Sequence, residues 1–91
     1  GPQTRFTAST ATRLLHCVRS AVEHLHAHGV LHGDLYAHNI LWNPSTGDAI
    51  LSDLGAAVLT RDLPASTAAQ LQAIEWRAYA HLEAEIQARC T

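Results

Sequence analysis

Residues 30–43, VLHGDLYAHNILWN, place two histidines, an aspartate and an asparagine between two short apolar runs. Short apolar runs bordered by turn-forming residues are typical of short β-strands. A further apolar run, residues 49–52, follows the turn formers NPSTGD, so residues 40–52 are predicted to form a β-hairpin. The polar residues are therefore expected at one end of a small sheet.

Two longer segments on either side of this region have the periodicity of amphipathic helices. Residues 9–28 are predicted to be helical, with Ser9 or Thr10 as the N-cap and Gly29 as the left-handed stop. Residues 66–89 have an apolar face formed by Leu71, Ile74, Ala78, Leu82 and Ile86. The sequence thus predicts an α+β, mainly α fold, with two long helices and a small antiparallel hairpin.

Composition and charge restrict the classes of function. The chain has 91 residues, 47% of them hydrophobic, and a net charge of −2, so we expect one small domain and no nucleic-acid partner. No apolar run approaches the roughly 20 residues of a membrane span, and no signal-peptide pattern is present, so the expected location is cytoplasmic, without a membrane partner. Residues 1–2, Gly-Pro, resemble the remnant of a removed expression tag, which leaves residues 3–91 as the domain.

The predicted hairpin brings polar residues together. If its turn is centred in NPSTGD, Ile40 would oppose Ser52 and Asn39 would oppose Asp53. Asp34 precedes Asn39 in the same loop, so it is expected nearby. Carboxylate and amide oxygens suit Mg²⁺, which makes Asn39 and Asp53 candidate metal ligands. Asp34 would then remain free to orient or deprotonate a hydroxyl.

These residues resemble the protein kinase-like superfamily. Residues 32–39, HGDLYAHN, are similar to the kinase catalytic loop, which has His-Arg-Asp, four residues and Asn. Residues 53–55, DLG, are similar to the Asp-Phe-Gly metal motif. The preceding helix and the hairpin between the motifs also fit the C-terminal lobe (C-lobe) of a kinase. The resemblance implies a C-lobe core fragment of an ATP- and Mg²⁺-dependent protein kinase, with a protein hydroxyl as substrate.

The resemblance also implies a role for each matching position in the nucleotide site. Asp34 would be the catalytic base, and Asn39 and Asp53 would bind Mg²⁺. Leu41, two residues after Asn39, would form the apolar floor under adenine. ATP and Mg²⁺ are therefore the cofactors expected in the parent, the longer protein whose C-lobe these residues would form.

Three further positions would have structural roles. His32 and Leu54 match positions of the hydrophobic spine that the family stacks through this lobe. Glu75 matches the acidic residue with which the buried helix of the family holds the catalytic-loop backbone. Glu75 is therefore expected to accept hydrogen bonds from N–H groups around His32 and Gly33.

Several positions depart from the family pattern. Gly33 replaces the arginine that reads activation-loop phosphorylation in many kinases, so that form of control is not expected. The 91 residues contain no lysine and no glycine-rich phosphate loop, both of which belong to the N-terminal lobe of a kinase. The chain by itself is therefore expected to be inactive and to bind nucleotide weakly at best, if it binds a cofactor at all.

Three functions remain open at this stage. The first is a protein kinase fragment, which residues 74–86, IEWRAYAHLEAEI, favour. The second is a small-molecule phosphotransferase of the aminoglycoside or choline kinase type, which Gly33 favours. The third is a non-catalytic pseudokinase or assembly module. A zinc site involving His24 and His28, one helical turn apart, is a weaker alternative because no third ligand is fixed by the sequence.

The second predicted helix suggests a partner. The apolar face of residues 66–89 extends to Trp76 and is too wide to pack against one short helix. We therefore expect a homodimer through residues 66–89, either about a two-fold axis or by a domain swap across the loop predicted at residues 59–66.

Overall fold

The computed structural model describes residues 6–35, 40–42, 49–51 and 54–90. Within these residues, the chain forms two long helices, four short strands and two 3₁₀ turns: α1 Ala8–Ala27, β1 Val30–Leu31, β2 Ile40–Trp42, β3 Ala49–Leu51, a turn at Leu54–Ala56, β4 Val58–Leu59, a turn at Thr60–Asp62, and α2 Ala65–Ala88. The predicted α+β, mainly α fold is confirmed.

Helix α1 begins one residue earlier than predicted and has a different cap. The hydroxyl of Thr7 accepts a hydrogen bond from the Thr10 N–H at 3.2 Å, so Thr7 is the N-cap. Ser9 and Thr10 lie in the first turn, and the prediction that one of them is the cap was wrong. Gly29 has φ +72°, which confirms the left-handed stop.

The core lies between the two helices. α1 buries five residues along one stripe: Ala11, Leu14, Leu15, Val18 and Val22. This stripe belongs to one cluster with Tyr79, Leu82 and Ile86 of α2. The Tyr79 hydroxyl also donates to the backbone carbonyl of Leu15 at 3.3 Å, which ties the two helices together at a buried polar contact.

The buried face of α2 is rotated relative to the predicted face. Its buried residues are Glu75, Tyr79, Leu82 and Ile86, whereas Ile74 is 51% exposed. The prediction considered only apolar residues. Glu75 and Tyr79 are buried because each has hydrogen-bond partners within the core, and those partners turn Ile74 outward.

Two small antiparallel sheets lie beside the helices. β1 pairs with β4, with Val30 opposite Leu59 and Leu31 opposite Val58. The sequence prediction assigned a strand to β1 but none to β4, and it placed Leu59 in a loop. The Thr60 N–H donates to the Gly29 carbonyl at 2.8 Å, so the end of α1 is joined to the end of this sheet.

The β2–β3 hairpin is present, but its register was wrong by one residue. Ile40 pairs with Leu51, not with Ser52, and Leu41 pairs with Ile50. This register puts Leu41 and Ile50 on an exposed face while Ala49 is buried. The proximity of Asn39 and Asp53 was inferred from the other register. Both residues lie outside the described ranges, so that proximity stays a prediction.

The two ends of the described chain meet. Phe6 and Cys90 form a parallel bridge, and the Phe6 N–H donates to the Arg89 carbonyl at 2.9 Å. Phe6 is buried against the core cluster. In the described part of the chain, neither long helix has the length and hydropathy that crossing a membrane requires.

Candidate active site

The candidate catalytic loop begins at the end of β1. His32, the first residue after the strand, is fully buried. Its ring atom Nδ1 accepts a hydrogen bond from the Asp34 N–H at 3.2 Å. Leu35, the next residue, is 4% exposed and belongs to the core cluster. The half-buried Asp34 is therefore held between two buried neighbours, which restricts the backbone that carries its carboxylate.

Glu75 on α2 holds the backbone of this loop. Its carboxylate Oε1 accepts the N–H of His32, and Oε2 accepts the N–H of Gly33, both at 2.9 Å. These are the hydrogen bonds that the sequence analysis predicted. Because each carboxylate oxygen takes one of two successive N–H groups, the loop cannot rotate about this point without losing a charge-assisted bond.

The same contacts keep Glu75 ionised. Burial alone would raise the pKa of its carboxyl group, because the charged form loses hydration. The hydrogen bonds from Gly33, His32 and His26 favour the charged form and outweigh burial, so the pKa of Glu75 lies below its ordinary value. A carboxylate that is 6% exposed is thus stable as an anion inside the fold.

His26 completes this arrangement, and the sequence analysis missed it. Its Nε2 lies 2.9 Å from Oε1 of Glu75, and its ring packs edge-on against Trp76 at a centroid distance of 5.5 Å. The signal was present in the sequence: Val18, Val22 and His26 are spaced four residues apart, so His26 continues the buried stripe of α1.

The loop also contacts the segment that follows Asp53 in the sequence. Gly33 has φ +87°, and an ideal Cβ placed on it would overlap the carbonyl oxygen of Ala56. Ala56 belongs to the 3₁₀ turn Leu54–Ala56, which begins directly after Asp53. The structure therefore brings the candidate catalytic loop against the backbone of Ala56, at the end of the turn Leu54–Ala56.

A small cavity opens beside this contact. Its volume is about 180 Å³, and its lining includes Asp34 and the backbone contact residue Gly33. Leu31, Val58 and Leu71 contribute the apolar part of the wall. Asp34 therefore borders a space that a small group can enter.

The other predicted site residues lie on the hairpin, in the turn that follows it, or outside the described ranges. Leu41 is 57% exposed on the hairpin, and its role beneath adenine stays a prediction. Leu54 is 53% exposed and does not belong to the described core cluster, and its role in the hydrophobic spine stays a prediction. Asn39 and Asp53 lie outside the described ranges, and their roles as metal ligands stay predictions.

Among the described residues, the histidine pair on α1 belongs to no group of three metal-binding side chains. The rings of His24 and His28 lie 4.2 Å apart, and Nδ1 of His28 is 2.8 Å from the His24 carbonyl oxygen. Within the described ranges, no group of three His, Cys, Asp or Glu side chains is arranged to hold a metal ion. The two cysteines in these ranges, Cys17 and Cys90, do not form a disulfide bond.

Comparisons with known proteins agree with this geometry. Two probable cell division control protein 7 homologs of Encephalitozoon cuniculi (strain GB-M1), homologs 1 and 2, are each 42% identical over 45 residues, which cover 50% of this chain and 13% of the relative. The serine/threonine-protein kinase csk1 of Schizosaccharomyces pombe is 40% identical over 48 residues, which cover 53% of this chain and 16% of the relative.

The chain thus spans only a small part of the length of these curated relatives. No solved structure matches it. The model of the protein kinase domain family, in contrast, matches residues 2–85, which is nearly the whole sequence. The match includes α1, the candidate catalytic loop, the hairpin and most of α2. The chain belongs to the protein kinase domain family.

Proposed function

We propose that the protein acts as an ATP- and Mg²⁺-dependent protein kinase that transfers a phosphoryl group to a protein hydroxyl. Family membership supports this proposal, and one of the relatives is named a serine/threonine-protein kinase. The observation that carries it is the pair of hydrogen bonds from His32 and Gly33 to Glu75. They fix the backbone of the loop in which Asp34 is placed, and phosphoryl transfer depends mainly on positioning and charge stabilisation.

Asp34 would act as the base in this reaction. Asp34 lines the cavity of about 180 Å³, where its carboxylate would orient a substrate hydroxyl and accept its proton. Asn39 and Asp53 have the oxygen donors that suit Mg²⁺, which when bound neutralises charge on the phosphate groups. Leu41 would contact adenine from the exposed face of the hairpin.

We also propose that the 91 residues by themselves transfer no phosphate. They contain no lysine, so no ammonium group is present to pair with the phosphates of ATP. In the parent, a glycine-rich strand and a Val-Ala-x-Lys strand encoded upstream of residue 3 would supply these groups. The gene sequence that flanks these residues tests this directly.

The assay that tests the proposal compares the parent kinase domain with the 91-residue chain. In the parent, Asp34→Asn should lower phosphorylation of a protein substrate at least about 100-fold, because general base catalysis is lost. The exposed Asp62, in the turn Thr60–Asp62, provides a control, and Asp62→Asn should retain activity. Full activity of Asp34→Asn would refute the base assignment. The 91-residue chain is also expected to bind nucleotide weakly at best, and micromolar binding of Mg²⁺-ATP, abolished by Asp53→Ala, would refute that expectation.

A second candidate is a small-molecule phosphotransferase of the aminoglycoside or choline kinase type. The observation that favours it is the requirement for glycine at position 33, since those proteins also have His-Gly-Asp in this loop. Phosphorylation of an aminoglycoside or choline by the parent, with no transfer to protein substrates, would favour this candidate over the first.

For self-association through residues 66–89, the sequence suggests Trp76 as a central residue, but the structure favours a different one. Trp76 packs edge-on against His26 and Tyr79, and Leu82 is 3% exposed, so both are used within the chain. The exposed Ile74 instead borders a groove of about 400 Å³ along α2. Light scattering after size exclusion tests the proposal: Ile74→Glu should dissociate a dimer, and a wild-type chain that stays monomeric at high micromolar concentration would refute it.

A further inference from the structure

Gly33 occupies a position that only glycine fits, for two independent reasons. Its φ of +87° is a backbone conformation that side chains with a Cβ rarely adopt. In addition, a Cβ on Gly33 would overlap the carbonyl oxygen of Ala56, lie 2.8 Å from its carbonyl carbon and lie 3.2 Å from its Cβ. The obstacle is mainly backbone, which cannot move aside by changing a rotamer.

Gly33 is also held from a second direction. Its N–H donates to Oε2 of Glu75 at 2.9 Å, and the neighbouring N–H of His32 donates to Oε1 of the same carboxylate. The peptide around Gly33 thus lies between a buried carboxylate of α2 and the backbone of the 3₁₀ turn Leu54–Ala56. A displacement of Glu75 would therefore move the turn Leu54–Ala56 through Gly33, and a displacement of the turn would act on Glu75 in the same way.

We propose that Gly33 is a positioning residue that sets the separation between the catalytic loop and the segment that follows Asp53. The proposal rests on the proposed kinase function, because that function gives Asp34 and Asp53 roles that depend on their separation. The bare Cα lets the Ala56 carbonyl approach the loop, while Glu75 prevents the loop from retreating. Gly33 thereby fixes the position of the turn Leu54–Ala56 relative to α2.

This role gives a structural reason for glycine at position 33, where many kinases have arginine. Arginine at position 33 would restore the residue that many kinases have, but its Cβ would have to displace Ala56. Gly33→Arg is therefore expected to separate the two halves of the site in this chain. The same displacement is expected of Gly33→Ala, because the Cβ alone causes the overlap.

Gly29 provides a matched control. It also has a positive φ, +72°, but a Cβ on it would meet only the side-chain hydroxyl of Thr60, at 3.1 Å. Gly29→Ala therefore introduces a similar backbone strain without a clash against backbone. It also lies outside the candidate catalytic loop.

The first measurement is structural and uses the 91-residue chain. Backbone amide resonances of residues 54–57 should shift strongly in Gly33→Ala and remain close to wild type in Gly29→Ala. In the wild-type chain, nuclear Overhauser contacts should join the Gly33 α-protons to the Ala56 methyl group. Equal shifts of residues 54–57 in both variants would overturn the proposal. If Gly33→Ala fails to fold, absence of the wild-type contacts overturns it, and their presence supports it.

The second measurement uses the parent kinase domain. Gly33→Ala should raise the Mg²⁺ concentration that gives half-maximal activity by about tenfold. Gly29→Ala should leave this concentration unchanged, when the two variants are compared at an equal loss of thermal stability. An unchanged Mg²⁺ requirement in Gly33→Ala would overturn the positioning role. If the parent phosphorylates no substrate, the proposed function fails. The resonance shifts still test whether Gly33 sets the position of the turn Leu54–Ala56.

Discussion

The two sides of the candidate catalytic loop differ in how they are held. On the helical side, His26, His32 and Glu75 are almost completely buried and hydrogen-bonded to one another or to the loop backbone. On the hairpin side, large apolar residues face outward: Leu41 is 57% exposed and Ile50 is 62% exposed. Leu54, in the turn after the hairpin, is 53% exposed.

This difference indicates which elements fix the position of the candidate catalytic loop. Its backbone is fixed by α1 and α2, through contacts that lie within the described residues. Exposed apolar groups on the other side contribute little to stability here and commonly mark surfaces that bind another group. The helical side should therefore respond to mutation through stability, and the hairpin side should respond mainly through binding.

The largest expected effect comes from the core of α2. Leu82→Ala should destabilise the fold by about 2–5 kcal/mol, because Leu82 is 3% exposed and its loss leaves a cavity. Ile74→Ala is the matched control on the same helix. It should cost much less, since Ile74 is 51% exposed. Chemical denaturation measures both, and similar losses would contradict the observed rotation of the buried face.

A smaller loss is expected from the contact between α2 and the loop. Glu75→Gln should destabilise the fold by about 1.5–3 kcal/mol, because its amide NH₂ would face N–H donors that now bind a carboxylate. Glu83→Gln, about two turns later on α2, should change stability by less than about 0.5 kcal/mol. Thermal midpoints that fall equally in the two variants would argue against a specific role for Glu75.

The pH dependence should isolate the charge of Glu75. Because the folded state lowers the pKa of this carboxyl group, its stabilisation is present above the ordinary value of 4.5 and is lost as pH falls through the lower folded value. The stability difference between wild type and Glu75→Gln should therefore be constant near neutral pH and shrink below about pH 4.5. Urea unfolding from pH 7 to pH 3 measures it. A difference as large at pH 3 as at neutral pH would show that the ionised form is not responsible.

Periodicity was sufficient to locate the long elements. Helix α1 was predicted within one residue at each end, and Gly29 marked its stop because only a left-handed residue fits there. Strand β4 was missed, since two residues carry no measurable period and become a strand only when β1 pairs with them. The formation of β4 depends on tertiary pairing, which a local sequence pattern does not contain.

Features of the candidate site were partly predictable. Glu75 was identified by its position in a family motif, and its bonds to the loop followed. His26 was not, because a polar residue in an apolar stripe reveals its partner only when α2 is in place. The requirement for glycine at position 33 also depends on a contact between distant segments, so the sequence alone suggested only the loss of an arginine.

The smallest effects should separate the two faces of the hairpin. Ala49 is 8% exposed and belongs to the core cluster, whereas the next residue, Ile50, is 62% exposed. Threonine suits a strand at either position, so both variants keep a residue of high strand propensity. Ala49→Thr should cost about 1–3 kcal/mol, because it forces extra volume and a hydroxyl against α1. Ile50→Thr should change stability by no more than about 0.5 kcal/mol. Denaturation midpoints distinguish the two, and a larger loss from Ile50→Thr would mean that the hairpin presents its other face to the helices.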